Sequence, residues 1–146
     1  MSIGPEMPGQ AMAGGETGAA APLRVLVVDD EDTVRTVVAR MLQVDNHQVD
    51  ACGSGREAIS IFMSGKFDLV VTDRAMPGMI GDELAVRLSA LDPDVPILML
   101  TGYGELMADR EPPPAGVTMV LSKPVGIERL RQAVAAVAGK RGDAKA

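Results

Sequence analysis

The chain has 146 residues, 47% of them apolar, and a formal net charge of −6 at pH 7. This length suits one domain whose core must be mainly aliphatic, because only two Phe and one Tyr are present. The acidic balance and the lack of Trp argue against nucleic-acid binding, and a single cysteine with no long apolar run indicates a cytoplasmic protein that makes no membrane contact.

The first 22 residues are rich in Gly, Pro, Ala and Met and lack periodicity, so residues 1–22 are expected to form a flexible tail. A domain is expected over residues 23–138, with Gly139 ending its last helix and residues 139–146 forming a fraying tail. Within the domain, apolar runs alternate five times with helical patterns. This alternation predicts a doubly wound α/β fold, with helices on both faces of a five-stranded parallel sheet.

The first two strands are expected at residues 23–28 and 48–52. The first ends at the adjacent carboxylates of Asp29 and Asp30, whereas the second ends without an obvious reactive group. An amphipathic helical pattern lies between them and is followed by a polar turn. The only histidine, His47, falls in this turn and is expected to be a solvated loop residue.

The third strand, at residues 67–73, is a buried apolar run that ends at Asp73 and enters a loop containing Pro77 and Gly78. Ligands of open parallel sheets bind in the crevice outside the carboxyl ends of the strands. Asp73 therefore lies where a reactive side chain would act. Taken alone, an acid that begins a turn is the commoner explanation.

The fourth strand, at residues 95–100, stops at Thr101, and the fifth, at residues 117–121, is soon followed by Lys123. A short helix is expected between them at residues 104–110, where three consecutive prolines then cut it off.

Collected at one edge of the sheet, the strand ends would bring together three carboxylates, one hydroxyl and one ammonium group. Two carboxylates about 4 Å apart repel by about 4 kcal/mol at an effective dielectric constant of about 20, so three such pairs cost about 12 kcal/mol. One lysine cannot offset this repulsion, and protons or a divalent cation must occupy the cluster. Hard oxygen ligands without His or Cys favour Mg²⁺ over Zn²⁺.

Such a cation, a hydroxyl donor, a lysine and a further carboxylate form the equipment for phosphoryl transfer to a carboxylate. The positive charges neutralise the equatorial oxygens, and the hydroxyl of Thr101 donates to one of them. Asp73 follows the central acid-bearing strand, and we assign it as the nucleophile that attacks in line.

These motifs resemble the receiver domain of two-component response regulators, over residues 23 to about 138. The similar segments are the acid pair Asp29-Asp30, the phosphoacceptor loop from Thr72 to Met79 with Gly81, the hydroxyl position in Leu100-Thr101-Gly102, and the lysine with a cis-prolyl bond in Ser122-Lys123-Pro124. The resemblance implies a flavodoxin-like sheet of order 2-1-3-4-5 flanked by five helices.

The resemblance also implies a function. A sensor histidine kinase or histidine phosphotransfer protein would phosphorylate Asp73, and the signal would pass to a downstream protein. Asp30, Asp73 and the backbone carbonyl of Ala75 would ligate Mg²⁺, with Asp29 assisting through water.

Thr101 and Lys123 would hold the phosphoryl oxygens, with Pro124 in a structural role. The family commonly has an aromatic switch residue three positions before the lysine, where this chain has Val120. Tyr103 is the substitute candidate, although an ordinary loop tyrosine fits equally well. Since only one helix and a tail can follow Lys123, we expect a single-domain regulator acting through protein contacts or phosphorelay, not a turnover enzyme. A homodimer is left open.

Two alternatives remain. The spacing of Asp30, Asp32 and Val34 fits the nucleophile motif of haloacid-dehalogenase-type phosphatases, with Asp30 as nucleophile. That family needs further acids after the lysine strand, where this chain has only Glu128 and Asp143. The second alternative, a pseudo-receiver that has lost phosphorylation, is opposed by the intact acid set.

Overall fold

A computed structural model describes residues 21–102 and 112–145, with side chains described to residue 138. The described strands are β1 (Arg24–Val28), β2 (Gln48–Cys52), β3 (Leu69–Asp73), β4 (Ile97–Thr101) and β5 (Met119–Ser122). The described helices are α1 (Asp32–Val44), α2 (Gly55–Met63), α3 (Gly81–Leu91) and α4 (Ile127–Lys145). The described part of the chain thus has four helices, not the expected five. The helix expected at residues 104–110, Tyr103 and nearly all of the expected N-terminal tail lie outside it.

All five strands are parallel, in the order β2-β1-β3-β4-β5, which confirms the predicted sheet. The register aligns the carboxyl ends of the three central strands. Val28 of β1 pairs with Thr72 of β3, and Asp73 pairs with Leu100 of β4. The residues that follow β1, end β3 and end β4 therefore meet at one edge of the sheet.

The core forms two apolar layers, one on each face of the sheet, because alternate residues of a strand point to opposite faces. One layer packs α2 and α3 on the sheet through residues that include Leu26, Phe62, Val70, Leu88 and Met99. The other packs α1 and α4 through residues that include Val27, Leu42, Val71, Leu98 and Leu130. Each large side chain buried in this way contributes about 1.5–3 kcal/mol, so the strand ends are held on a rigid support.

Helix α2 begins with a side-chain cap. The Oγ of Ser54 accepts a hydrogen bond from the backbone N–H of Glu57 at 3.2 Å. The Glu57 carboxylate in turn accepts one from the N–H of Gly53 at 3.1 Å. Two backbone donors at the start of the helix are thereby satisfied, which fixes the point where the chain turns after β2.

Helix α4 extends to Lys145, so the expectation that Gly139 ends it was wrong. A glycine within a helix costs about 1 kcal/mol relative to alanine but does not by itself stop the helix. The helix is docked where Arg131 donates two hydrogen bonds to Asp45 beyond the end of α1, at 2.9 and 3.0 Å. Neither α4 nor any other helix in the described ranges is apolar enough over a sufficient length to cross a membrane.

His47 is buried rather than solvated, which corrects the sequence interpretation. Its Nδ1 accepts a hydrogen bond from the backbone N–H of Leu23 at 2.9 Å, so this nitrogen carries no proton. Burial lowers the pKa of His47 below its ordinary value, although the charge of Asp45 acts in the opposite direction. The residues of this turn are polar, but His47 packs against the chain just before β1, where it binds Leu23.

The buried histidine predicts a pH-dependent stability. Because the folded pKa of His47 is lowered, the unfolded chain takes up the proton more readily below about pH 6.5. The free energy of unfolding should therefore decrease as the pH falls from about 7.5 to about 5.5. In His47→Asn, whose Oδ1 can accept the same hydrogen bond without titrating, the decrease should be smaller. Chemical denaturation at both pH values measures this difference, and equal pH dependence in the two proteins would contradict it.

Candidate functional site

The end of β1 delivers two carboxylates with different exposure. Asp29 is 2% exposed, whereas the next residue, Asp30, is exposed. The N–H of Asp29 donates to the carbonyl of Cys52 at 3.1 Å, which ties this residue to the end of β2. Its Oδ1 accepts a hydrogen bond from the N–H of Glu31 at 2.9 Å. Asp29 is therefore held through its backbone and through one carboxylate oxygen, while Asp30 faces the solvent.

Asp73 is the last residue of β3 and is 4% exposed. One carboxylate oxygen from each of Asp29, Asp30 and Asp73 lies within 4.8 Å of the other two. The structure thus brings together the three acids that the strand ends predicted. Carboxylates this close repel one another strongly unless positive charge is placed among them.

Lys123 supplies part of that charge. Its Nζ lies 2.9 Å from Asp73 Oδ1, 3.3 Å from Asp29 Oδ2 and 3.7 Å from Glu31 Oε1. The lysine is held by its backbone N–H, which donates to the carbonyl of Thr101 at 2.9 Å, and the Lys123–Pro124 peptide bond is cis. A single ammonium group thus faces three carboxylates, in addition to the nearby carboxylate of Asp30.

The pKa values of the central pair reflect this imbalance. Burial raises the pKa of Asp73, and the charge of Asp29 raises it further, against the lowering effect of the hydrogen bond from Lys123. Burial lowers the pKa of Lys123, but the hydrogen bond to Asp73 and the charges of both buried acids outweigh it and raise the pKa overall. The lysine therefore stays charged, yet it does not fully compensate the burial of Asp73 beside a second carboxylate.

A buried oxygen of Asp29 indicates that the site accepts a further positive group. Asp29 Oδ2 is buried and receives no hydrogen bond of good geometry in the described part of the chain, although the Lys123 ammonium lies 3.3 Å away. A buried carboxylate oxygen without a donor is costly. Three hard oxygen donors around this point suit a divalent cation of the Mg²⁺ type. The residues present therefore fit such an ion.

The remaining predicted residues lie on β4, on β5 and in the loop after β3. Thr101 ends β4 and is buried, directly after the residue that pairs with Asp73. Val120 is half-buried on β5, opposite Met99 of β4. Ala75 is exposed in the loop after β3, two residues beyond Asp73.

Asp32 does not join the cluster, although the phosphatase alternative requires it. Its side chain is exposed at the start of α1 and pairs with Arg35 of the same helix. The motif spacing that suggested a haloacid-dehalogenase-type nucleophile therefore does not bring the second acid of that motif to the site.

Two contacts of the site were missed in the sequence. The carboxylate of Glu31 lies 3.7 Å from the Lys123 ammonium. Asp82 accepts two hydrogen bonds from Arg74, each at 3.0 Å. Neither contact has a periodic signature, because each joins residues that are close only after the strand ends meet.

Comparison with known proteins identifies the family. A family model of the response regulator receiver domain matches residues 25–135. Sporulation initiation phosphotransferase F of Bacillus subtilis is 30% identical over 111 residues, which cover 76% of this chain and 90% of that protein. The transcriptional regulatory protein TcrA of Mycobacterium tuberculosis is 34% identical over 77% of this chain, but the match spans only 45% of its own length.

Solved structures of response regulators share the fold of this chain. The chemotaxis response regulator CheY4 of Vibrio cholerae is 33% identical with a TM-score of 0.71, covering 80% of this chain and 99% of that one. The response regulator TrrA of Thermotoga maritima, solved in complex with Mg²⁺-BeF, is 32% identical with a TM-score of 0.70, covering 78% and 97%. Since the family model matches most of its length and its fold is shared with these regulators, this chain belongs to the response regulator receiver domain family.

Proposed function

We propose that Asp73 accepts a phosphoryl group from a phosphohistidine donor, a sensor histidine kinase or a histidine phosphotransfer protein, in a Mg²⁺-dependent reaction. One observation carries this proposal. The Asp73 carboxylate is buried at the end of the central strand, 2.9 Å from the Lys123 ammonium and beside two further carboxylates. This arrangement combines a nucleophile, a fixed cation and a set of metal ligands around a single point.

The cation would be held by oxygen atoms alone. Asp30 and Asp73 would ligate it directly with the backbone carbonyl of Ala75, and Asp29 would assist through water. The carboxylate cluster supports this assignment, and so does Asp29 Oδ2, which is buried and has only the Lys123 ammonium, at 3.3 Å, as a partner among the described residues. The Mg²⁺-BeF complex of the related TrrA is further support. When bound, the ion supplies positive charge that balances the carboxylates and the incoming phosphoryl oxygens.

In the transfer step, an oxygen of Asp73 forms a bond to phosphorus while the bond from phosphorus to the donor imidazole nitrogen breaks. The bonding electron pair leaves with that nitrogen. Lys123 moves its contact from the carboxylate to a phosphoryl oxygen, and the Thr101 hydroxyl donates to another. Because Asp73 is 4% exposed, the group is formed at the inner end of the crevice, where access of water is restricted.

The phosphoryl group would act as a switch rather than as a step in substrate turnover. It adds negative charge and strong hydrogen-bond acceptors at the edge of the sheet. Thr101 and Lys123 would respond to this charge, and their new contacts would favour one of two conformations of the domain. Output would then pass to a downstream protein, by contact or by phosphorelay, in the cytoplasm, and a homodimer would be one form of such contact. Val120 in place of an aromatic residue means that a rotating ring at that position is not part of the switch.

The first prediction concerns the phosphorylated residue. Incubation with acetyl phosphate and Mg²⁺ should add one phosphoryl group to the wild-type chain, in an acid-stable and base-labile form, and none to Asp73→Asn. Mass spectrometry of the intact protein and of its peptides measures this. Asp32→Asn is the matched control, since its acid is exposed on α1, and it should be phosphorylated like wild type. Multiple turnover of p-nitrophenyl phosphate that needs Asp30 and Asp32 but not Asp73 would overturn the assignment.

The second prediction concerns the metal. Mg²⁺ should bind the wild-type chain without any phosphodonor, and Asp30→Asn should weaken this binding by about tenfold or more, because it removes a direct ligand. Calorimetric titration measures the affinity, and a chelator should abolish labelling by acetyl phosphate. Asp82→Asn is not a suitable control, because the Asp82 carboxylate pairs with Arg74, the residue after Asp73. Asp50→Asn is suitable, because the Asp50 carboxylate pairs with Arg24 of β1, and it should leave the Mg²⁺ affinity unchanged. Equal affinities of wild type and Asp30→Asn would contradict the ligand assignment.

The third prediction concerns the switch. Beryllofluoride with Mg²⁺ should shift the amide resonances of β4 and β5 in the wild-type chain. In Thr101→Ala the analogue should still bind, but the shifts along β5 should be smaller, because the hydroxyl that links the phosphoryl oxygens to β4 is gone. Amide spectra of the wild type that are the same with and without the analogue would refute a two-state response.

A further inference from the structure

The loop between β3 and α3, residues 74–80, leads from Asp73 to α3 and contains Ala75. Inside it, Met76 is buried in the core layer of α2 and α3, which fixes the middle of the loop. Ala75 itself is exposed, and its carbonyl can point at a metal only if the first part of the loop is held in place. The structure provides one residue that holds it.

Arg74 ties the beginning of this loop to two elements, β4 and α3. Its N–H donates to the carbonyl of Leu100 on β4 at 3.0 Å, and its carbonyl accepts from the N–H of Gly81 at 2.7 Å. Its guanidinium donates from Nε and Nη2 to the two carboxylate oxygens of Asp82, both at 3.0 Å. The first residue of the loop is therefore joined to the start of α3 through both its backbone and its side chain.

The start of α3 also packs closely against the end of β3. A Cβ atom added to Gly81 would lie 2.3 Å from the carbonyl oxygen of Asp73 and 3.0 Å from Arg74 Cα. The first turn of α3 thus touches the backbone of the predicted phosphoacceptor. The Arg74 and Asp82 side chains are only 31% and 28% exposed, so their planar two-bond contact is partly shielded from water.

We propose that the Arg74–Asp82 ion pair is a positioning device that holds the Ala75 carbonyl in place for the metal. The inference rests on the proposed Mg²⁺-dependent function, and it concerns two residues that touch neither the ion nor the phosphoryl group. Breaking this ion pair would make the two neighbours of Arg74, Asp73 and Ala75, less firmly held. Part of the free energy of metal binding must then be used to order the loop, so the metal binds more weakly.

A purely electrostatic effect of the same residues predicts a different pattern. Removing the positive charge of Arg74 would strengthen the binding of a cation nearby, and removing the negative charge of Asp82 would weaken it. A positioning role predicts that both substitutions weaken it. The sign of the change in Arg74→Gln therefore separates the two explanations.

The experiment measures Mg²⁺ affinity by calorimetry for the wild type, Arg74→Gln, Asp82→Asn and the double variant. Each single variant should bind about tenfold more weakly than wild type, in line with the usual effect of residues that orient a metal ligand. The double variant should be no weaker than the singles, because both substitutions release the same contact.

The matched control is the Arg87–Glu83 pair on the same helix. It has the same charges and a comparable distance of 3.0 Å, but its side chains are 56% and 47% exposed and it does not touch the loop. Arg87→Gln and Glu83→Gln should leave Mg²⁺ affinity unchanged. Thermal unfolding of all variants establishes that the fold is retained.

A second readout needs no metal. Hydrogen exchange at the amide of Gly81, which donates to the Arg74 carbonyl, should be faster in Arg74→Gln than in wild type and unchanged in Arg87→Gln. Faster exchange in Arg74→Gln together with weaker Mg²⁺ binding supports the inference.

The outcomes separate this inference from the proposed function. If the wild type binds Mg²⁺ and Asp30→Asn does not, but Arg74→Gln binds as tightly as or more tightly than wild type, only the positioning role is overturned. If the wild type itself binds no Mg²⁺, the positioning role and the proposed function are both overturned.

Discussion

The site depends on the compensation of crowded negative charge. Three carboxylates lie together at the end of the sheet, and the lysine ammonium that contacts two of them also faces the carboxylate of Glu31. The raised pKa of Asp73 and the buried, unsatisfied oxygen of Asp29 are two consequences of the same shortage of positive charge. A divalent cation would supply the missing positive charge, and a phosphoryl group, which adds negative charge, would increase the need for it.

The parallel sheet brings the acids together. Its register aligns the ends of β1, β3 and β4, and two apolar layers hold these strands in place. The stability of those layers thus supports a locally unfavourable cluster. In the loop after β3, an ion pair and a close glycine contact add to the apolar packing of Met76.

Receiver domains similar to this chain make up different shares of the proteins that contain them. This chain covers 90% of sporulation initiation phosphotransferase F but less than half of TcrA, so receiver domains with its sequence pattern occur in proteins of different length. The acid pair, the central aspartate, the hydroxyl and the lysine are in the positions that the resemblance implies. Val120 stands where the resemblance implies an aromatic residue, and the Arg74–Asp82 ion pair lies at the loop after β3.

The sequence by itself determined the alternation of strands and helices and the reactive residues at four of the five strand ends, because hydrophobic period and turn residues are local signals. It therefore predicted the parallel sheet and the acid cluster around Asp73. Only the tertiary structure revealed that His47 is buried under the start of β1, that α4 continues past Gly139, and that Arg74 meets Asp82 across a loop. These features depend on which distant surfaces come together, and neither local propensity nor periodicity encodes that.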